Sequence, residues 1–229
     1  MRRIIRRRAG DGADGLPGSL HPLLRRLYAA RGVRSPDELS LELRRLLPVS
    51  SLDGVGAATA LLMDHLQRGS RIVVVGDFDA DGATSTALVV RQLRRLGFAD
   101  VGFRVPDRMR HGYGLSPLLV EEIAPDRPSL LITVDNGVAA LTGVEAARRH
   151  GIDVLVTDHH LPGAELPACA AMVNPNLPDA AFGSRALAGV GVAFYVMAAL
   201  TRRLEELRGA VAPVGDAVQL REEVEVLAR

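Results

Sequence analysis

The chain has 229 residues, 48% of them hydrophobic, enough to bury a substantial core in one large domain or one and a half small ones. A net charge of +1 excludes a uniformly basic molecule that coats nucleic acid over its whole surface. The single cysteine, Cys169, excludes an internal disulfide and a cysteine-based structural zinc site.

In chain order, residues 1–20 are polar and glycine-rich. Met1 to Arg8 is arginine-rich, but no long apolar run follows it as in a secretory signal, so the cytoplasm is the expected location. The first fifty residues hold eleven arginines against five acids, and lysine is absent throughout. That excess reads equally as a solvated face or as a phosphate-binding patch. From Pro22 to Leu66 the pattern is helical, with Leu23, Leu24 and Leu27 on one face and breaks at Gly32, Pro36, Pro48 and Gly54.

Beyond this the period changes. Strands are predicted at Arg71–Gly76, Val101–Val105, Leu130–Val134 and Ile152–Val156, with helices at Ala83–Leu96, Ser116–Ile123 and Val138–His150. Gly97 and Gly151 end two of the helices, and Ser116 caps the other. Ala186–Leu200 is apolar but interrupted by Gly189 and Gly191 and too short for a bilayer span, which favours a buried helix and no membrane. Strand and helix alternation at these lengths implies βαβ crossovers. The expected fold is α/β, a mainly parallel five-stranded sheet with flanking helices, preceded by a helical N-terminal segment. The expected division is residues 1–66, 67–200 and a helical tail at 201–229.

Ile72 to Gly82 carries the strongest chemical signal. A β-branched strand breaks into Asp77, Asp79, Asp81 and Gly82, and three crowded carboxylates are usually held together by a hard divalent cation. An EF-hand loop is excluded, because its twelfth position is Leu88 rather than Glu and a strand rather than a helix precedes it. A solvated acidic turn is the remaining structural alternative. Asp135 and the group Asp158, His159 and His160 follow two further strands, and parallel strands share one carboxyl edge where such groups converge. Carboxylates with imidazoles suit two Mn²⁺ or Mg²⁺ ions, and Asp135 is placed to bridge them.

Asp77-Phe-Asp-Ala-Asp-Gly-Ala-Thr-Ser, Val134-Asp-Asn-Gly and Thr157-Asp-His-His-Leu-Pro-Gly resemble, in order and spacing, three motifs of the DHH phosphoesterase superfamily. Gly112-Tyr-Gly-Leu-Ser, Asn174-Pro-Asn, Leu187-Ala-Gly-Val-Gly-Val-Ala-Phe, Leu20-His-Pro-Leu-Leu-Arg and Arg31-Gly-Val narrow the likeness to its bacterial single-strand-specific 5′→3′ DNA exonucleases. The resemblance spans roughly residues 16–200 and implies two-ion phosphodiester hydrolysis in DNA repair and recombination.

Residue by residue, it implies Asp77 and Asp79 as ligands, one to each metal, Asp135 as the bridge and His159 on the second metal. It assigns Asp81, Asp158 and His160 catalytic roles nearer to ligand support or substrate contact, with Asp158 the partner of the second His159 ring nitrogen. Arg110 and His111 would grip phosphate and Tyr113 would stack on a base, although a turn with a packed tyrosine fits the same residues. Gly189 and Gly191 would present helix amides to an anion, or simply allow close packing. Asn174-Pro-Asn reads as a turn, or as an amide contact beside the site. Single-stranded DNA is the implied substrate, with a single-strand-binding protein or a helicase as partner. Family members are expected to continue well past residue 229 and to carry another ligand carboxylate. Asp216 faintly matches that position and also reads as an N-cap. A small-substrate phosphoesterase and a non-catalytic fragment remain alternatives.

Overall fold

A computed structural model of the chain describes residues 15–40 and 42–207. They fall into two compact units, the larger beginning at Leu47. In the smaller unit, helix α1 (Pro22–Ala30) starts with Pro22 in its first turn, and the ring of His21 accepts the Leu23 amide at 3.2 Å. A 3₁₀ turn at Pro36–Leu39 follows, held by Glu38, whose carboxylate accepts the amides of Arg34 and Ser35 at 2.9 Å each. The expected apolar face of α1 is not buried. Leu23, Leu24 and Leu27 are each more than 40% exposed, and Ala29 is the helix's buried residue.

The larger unit is built on strands β1 (Ile72–Val75), β2 (Val101–Arg104), β3 (Leu130–Val134), β4 (Asp153–Thr157) and β5 (Ala171–Val173). They form one sheet in the order β2-β1-β3-β4-β5, every pair parallel. All four β1 residues are buried, as expected for a strand covered on both faces. Alternate side chains serve opposite layers. Ile72 and Val74 join Leu130, Ile132 and Leu155 on one face, while Val73 and Val75 join Leu131, Val154 and Val156 on the other.

Helices α2 (Val55–Gln67), α3 (Ala80–Leu96) and α6 (Gly189–Leu207) cover the first face. Helices α4 (Pro117–Ile123) and α5 (Leu141–Arg149) cover the second. Ala58 and Leu62 of α2 are fully buried in the same cluster as β1 and α6, so this helix belongs to the sheet's packing layer. α6 runs unbroken through residue 200 to Leu207, and residue 216 lies outside the described residues. No described helix is long and apolar enough to cross a membrane.

β1 lies between β2 and β3, so the first crossover runs from β1 to one side and the next returns from β2 past β1 to the other. Such a reversal opens a crevice at the carboxyl ends of the central strands. Asp77, Asp135 and Asp158 follow β1, β3 and β4 into that crevice.

Candidate metal centre

The turn out of β1 is tight enough to require glycine at two places. A Cβ on Gly76 would stand 2.2 Å from Thr86 Oγ1, and one on Gly82 would stand 2.5 Å from the Asp77 amide nitrogen. Asp79 caps α3, its Oδ1 accepting the Gly82 amide at 2.9 Å. The helix therefore begins at Ala80 instead of Ala83, and Asp81 occupies its first turn. From there the Asp81 carboxylate accepts the Gly189 and Val190 amides at 2.7 and 2.8 Å. A carboxylate thus caps the N-terminus of α6, where unpaired amides and the helix dipole favour negative charge.

Close packing, one of the two readings of Gly189 and Gly191, is present at both. The Gly189 amide is engaged by Asp81, and a Cβ at Gly189 would lie 2.5 Å from Asp135 Oδ1. A Cβ at Gly191 would lie 2.5 Å from Leu187 Cδ1. Both glycines serve close approach, one of them directly against the site.

Asp135 is 1% exposed and adopts φ 61°, in the left-handed region that Asp visits more readily than most residues. Its Oδ1 is buried without a hydrogen-bond partner among the described residues. His159 Nε2 stands 3.0 Å from it but out of line for a hydrogen bond. A buried anionic oxygen left in this way is costly unless a cation completes its surroundings.

Asp158, equally buried, is fully engaged. Its Oδ2 accepts the Val138 amide at 2.8 Å, and its Oδ1 accepts the amides of His159 and His160 at 2.7 and 3.1 Å. The same Oδ1 lies 2.7 Å from His160 Nδ1. The expected pairing of Asp158 with the His159 ring is thereby corrected: Asp158 orients His160, while His159 Nε2 faces Asp135 and lies 3.7 Å from Asp81.

Asn136 was not singled out from the sequence. Its buried amide donates to the carbonyls of Val134, Val75 and Gly76 at 2.9, 3.1 and 3.3 Å, tying the ends of β1 and β3 together. An amide next to a ligand-type aspartate at a strand end was the available clue.

The donor atoms form two groups, Asp77 with Asp79 and Asp135, and Asp135 with His159 and His160. Within each group they lie within 4.8 Å of one another, and Asp135 belongs to both. Asp77 and Asp79 share one group, and His160 stands among the donors of the other.

The electrostatics are those of a site short of positive charge. Burial, reinforced by Asp81 and Asp79, pushes the Asp135 carboxyl up to about 7. Burial also raises Asp77, opposed by its hydrogen bond from the Phe78 amide and reinforced by Asp79. Burial disfavours the charged form of His160, but the Asp158 hydrogen bond and the surrounding carboxylates outweigh it and raise the imidazole. The carboxylate and imidazole set with a shared buried oxygen fits a pair of hard or borderline divalent cations.

At the rim, the Tyr113 hydroxyl donates to the Asp135 carbonyl at 3.0 Å, and its ring meets Phe78 and His160 edge-on. Burial and the nearby carboxylates hold the phenol protonated well above its ordinary range. Tyr113 remains 52% exposed. Arg110 and His111 both face Glu122. Arg110 pairs with Glu122 at 2.6 Å; the His111 ring accepts the Asp107 amide at 2.9 Å and faces Glu122 at 3.2 Å. A cation beside the centre is Arg108, whose guanidinium lies 5.1 Å over the Phe78 ring.

The family model described as "DHH family, N-terminal domain" matches residues 71–215. The single-stranded-DNA-specific exonuclease RecJ of Escherichia coli is 53% identical over 202 residues, covering 88% of this chain and 35% of that protein. A crystal structure of exonuclease RecJ bound to manganese is 40% identical, with a TM-score of 0.63 over 69% of this chain and 40% of that one. RecJ of Thermus thermophilus in complex with Mn²⁺ gives 39% identity and a TM-score of 0.61, covering 77% of this chain and 24% of that one. The chain thus spans about a third of the length of the relatives it matches.

Proposed function

Because the chain belongs to the DHH family, we propose that its metal centre hydrolyses phosphodiester bonds of single-stranded DNA from the 5′ end, as the catalytic-core part of a RecJ-like exonuclease. The observation that carries this reading is the sharing of Asp135 between two donor groups. Two Mn²⁺ or Mg²⁺ ions would supply Lewis acidity to the scissile phosphoryl group. Asp77, Asp79 and Asp135 would hold one, and Asp135, His159 and His160 the other.

The remaining side chains arrange these donors. An ionised Asp158 can only accept, so the proton on the His160 ring belongs on Nδ1 and the Nε2 lone pair is left for a ligand. Asp81 anchors the amino end of α6, and Gly189 brings that end against the bridging carboxylate. Tyr113 and Phe78 form an aromatic rim on which a nucleobase can stack, and Arg108 adds positive charge for the backbone phosphates. The setting proposed is DNA repair and recombination in the cytoplasm, with a single-strand-binding protein or a helicase as partner.

The test is hydrolysis in Mn²⁺ of a 5′-labelled single strand, the same sequence as duplex, and a small phosphodiester. Preference for the single strand, lost in Asp135→Asn, supports the reading. Turnover of the small diester without any of the strand would favour a small-substrate phosphoesterase instead.

A further inference from the structure

The turn Asn174-Pro175-Asn176, which the proposed chemistry leaves without a role, touches the site through the backbone. β5 pairs with β4 at Val173 and Thr157, and the Asp158 amide donates to the Val173 carbonyl at 3.0 Å. The turn leaving β5 therefore starts beside the loop that carries His159 and His160. Asn176 Nδ2 donates to the His159 carbonyl at 2.5 Å and to the Arg185 carbonyl at 3.2 Å. Asn174 Nδ2 donates to the His160 carbonyl at 2.9 Å, while its Oδ1 accepts the Asn176 amide at 2.8 Å.

Asp158 takes both amide N–H groups of the same dipeptide. All four backbone polar groups of His159–His160 are thus held by three side chains, where a strand or helix would ordinarily hold them. Next in the chain, Leu161 is 79% exposed and gives the loop little packing support.

We propose that Asn176 is a positioning residue that, together with Asn174, clamps the His159–His160 carbonyls so that both imidazoles are set toward Asp135 before any ion binds. The inference rests on the metal-centre reading above. A donor is required at this position. Aspartate at 176 would set a carboxylate oxygen against the His159 carbonyl oxygen, and alanine would leave that carbonyl without its partner. Groups that orient metal ligands typically carry a ten- to hundredfold effect on affinity. Asn174 is fully buried and its replacement risks the fold, whereas Asn176 is only half-buried.

The experiment uses the 229-residue chain and the variants Asn176→Asp, Asn176→Ala and Asn176→Ser, with Ile123→Val in the α4 core as a control that lowers stability far from the loop. Mn²⁺ affinity is measured by titration calorimetry, and the histidine ring signals of the metal-free chain by NMR. The expected result is roughly a ten- to hundredfold loss of Mn²⁺ affinity in Asn176→Asp, with a smaller loss in Asn176→Ala. The His159 and His160 signals should shift without metal, while Ile123→Val changes neither quantity. Asn176→Ser serves if the aspartate variant does not fold. Unchanged affinity and unmoved ring signals in the folded Asn176 variants would overturn the clamp, as would an equal affinity loss in Ile123→Val. If the unmodified chain binds no Mn²⁺, the metal-centre reading fails; the metal-free ring signals still decide whether Asn176 orients the histidines.

Discussion

Asp135 is a carboxylate with almost no access to water, acidic neighbours and a left-handed backbone. In the metal-free chain it titrates near 7 instead of its ordinary 3.8. The folded protein therefore holds a proton across that interval that the unfolded chain has released. Stability should fall as pH rises from about 4 to about 7 and stay lowered above it, because the unfolded state binds fewer protons there. Melting of the metal-free chain over this range should show the decline, and Asp135→Asn, which cannot ionise, should flatten it. Mn²⁺ should raise the melting temperature most at the upper end, where the ionised carboxylate meets its cation. A pH profile identical in the unmodified chain and Asp135→Asn would show that burial does not hold this group neutral. The residue types of the centre were legible from strand ends and carboxylate spacing. The partner of Asp158 was not, since adjacent imidazoles are indistinguishable until the backbone sets which ring turns toward the carboxylate.

At the scale of elements, the joint between α3, α6 and the end of β3 decides the geometry. Gly189→Ala would bring a methyl group to 2.5 Å from Asp135 Oδ1, so the carboxylate or the helix must move. A loss of Mn²⁺ affinity of about tenfold is expected with helical content retained, read by calorimetry and circular dichroism. Asp81→Asn should cost about 1 kcal/mol of stability in denaturant titration, because α6 loses the charge of its cap while keeping one acceptor. Sequence periodicity located four strands and most helices closely, because each buries a regular apolar pattern. It missed β5, whose Ala-Met-Val is too short to show a period. It began α3 three residues late, because Asp79 and Asp81 look like loop residues until one caps this helix and the other a helix over a hundred residues away. Pairings of that separation leave no local pattern. The partner of Arg110 and His111 was hidden for a similar reason, since Glu122 comes within reach only after α4 packs.

For the whole molecule, the sheet gathers candidate metal donors from three strand ends, but the chain spans 35% of the length of Escherichia coli RecJ. Single-strand binding depends on extended phosphate contacts and repeated stacking. This chain should therefore bind Mn²⁺ yet digest single-stranded DNA more weakly and less processively than that full-length relative, measured side by side with a 5′-labelled strand. Equal processivity would mean that these residues alone carry the DNA-tracking surface.

The central claim is that Asp135 serves two cation positions, and calorimetric titration of Mn²⁺ into Asp135→Asn and Asp79→Asn tests it most directly. A bridging carboxylate contributes to two coordination spheres and a terminal one to a single sphere. The account predicts two Mn²⁺ ions bound by the unmodified chain, weakened binding of both in Asp135→Asn, and weakening of mainly one in Asp79→Asn. An Asp135→Asn variant that kept the stoichiometry and affinity of the unmodified chain would contradict it.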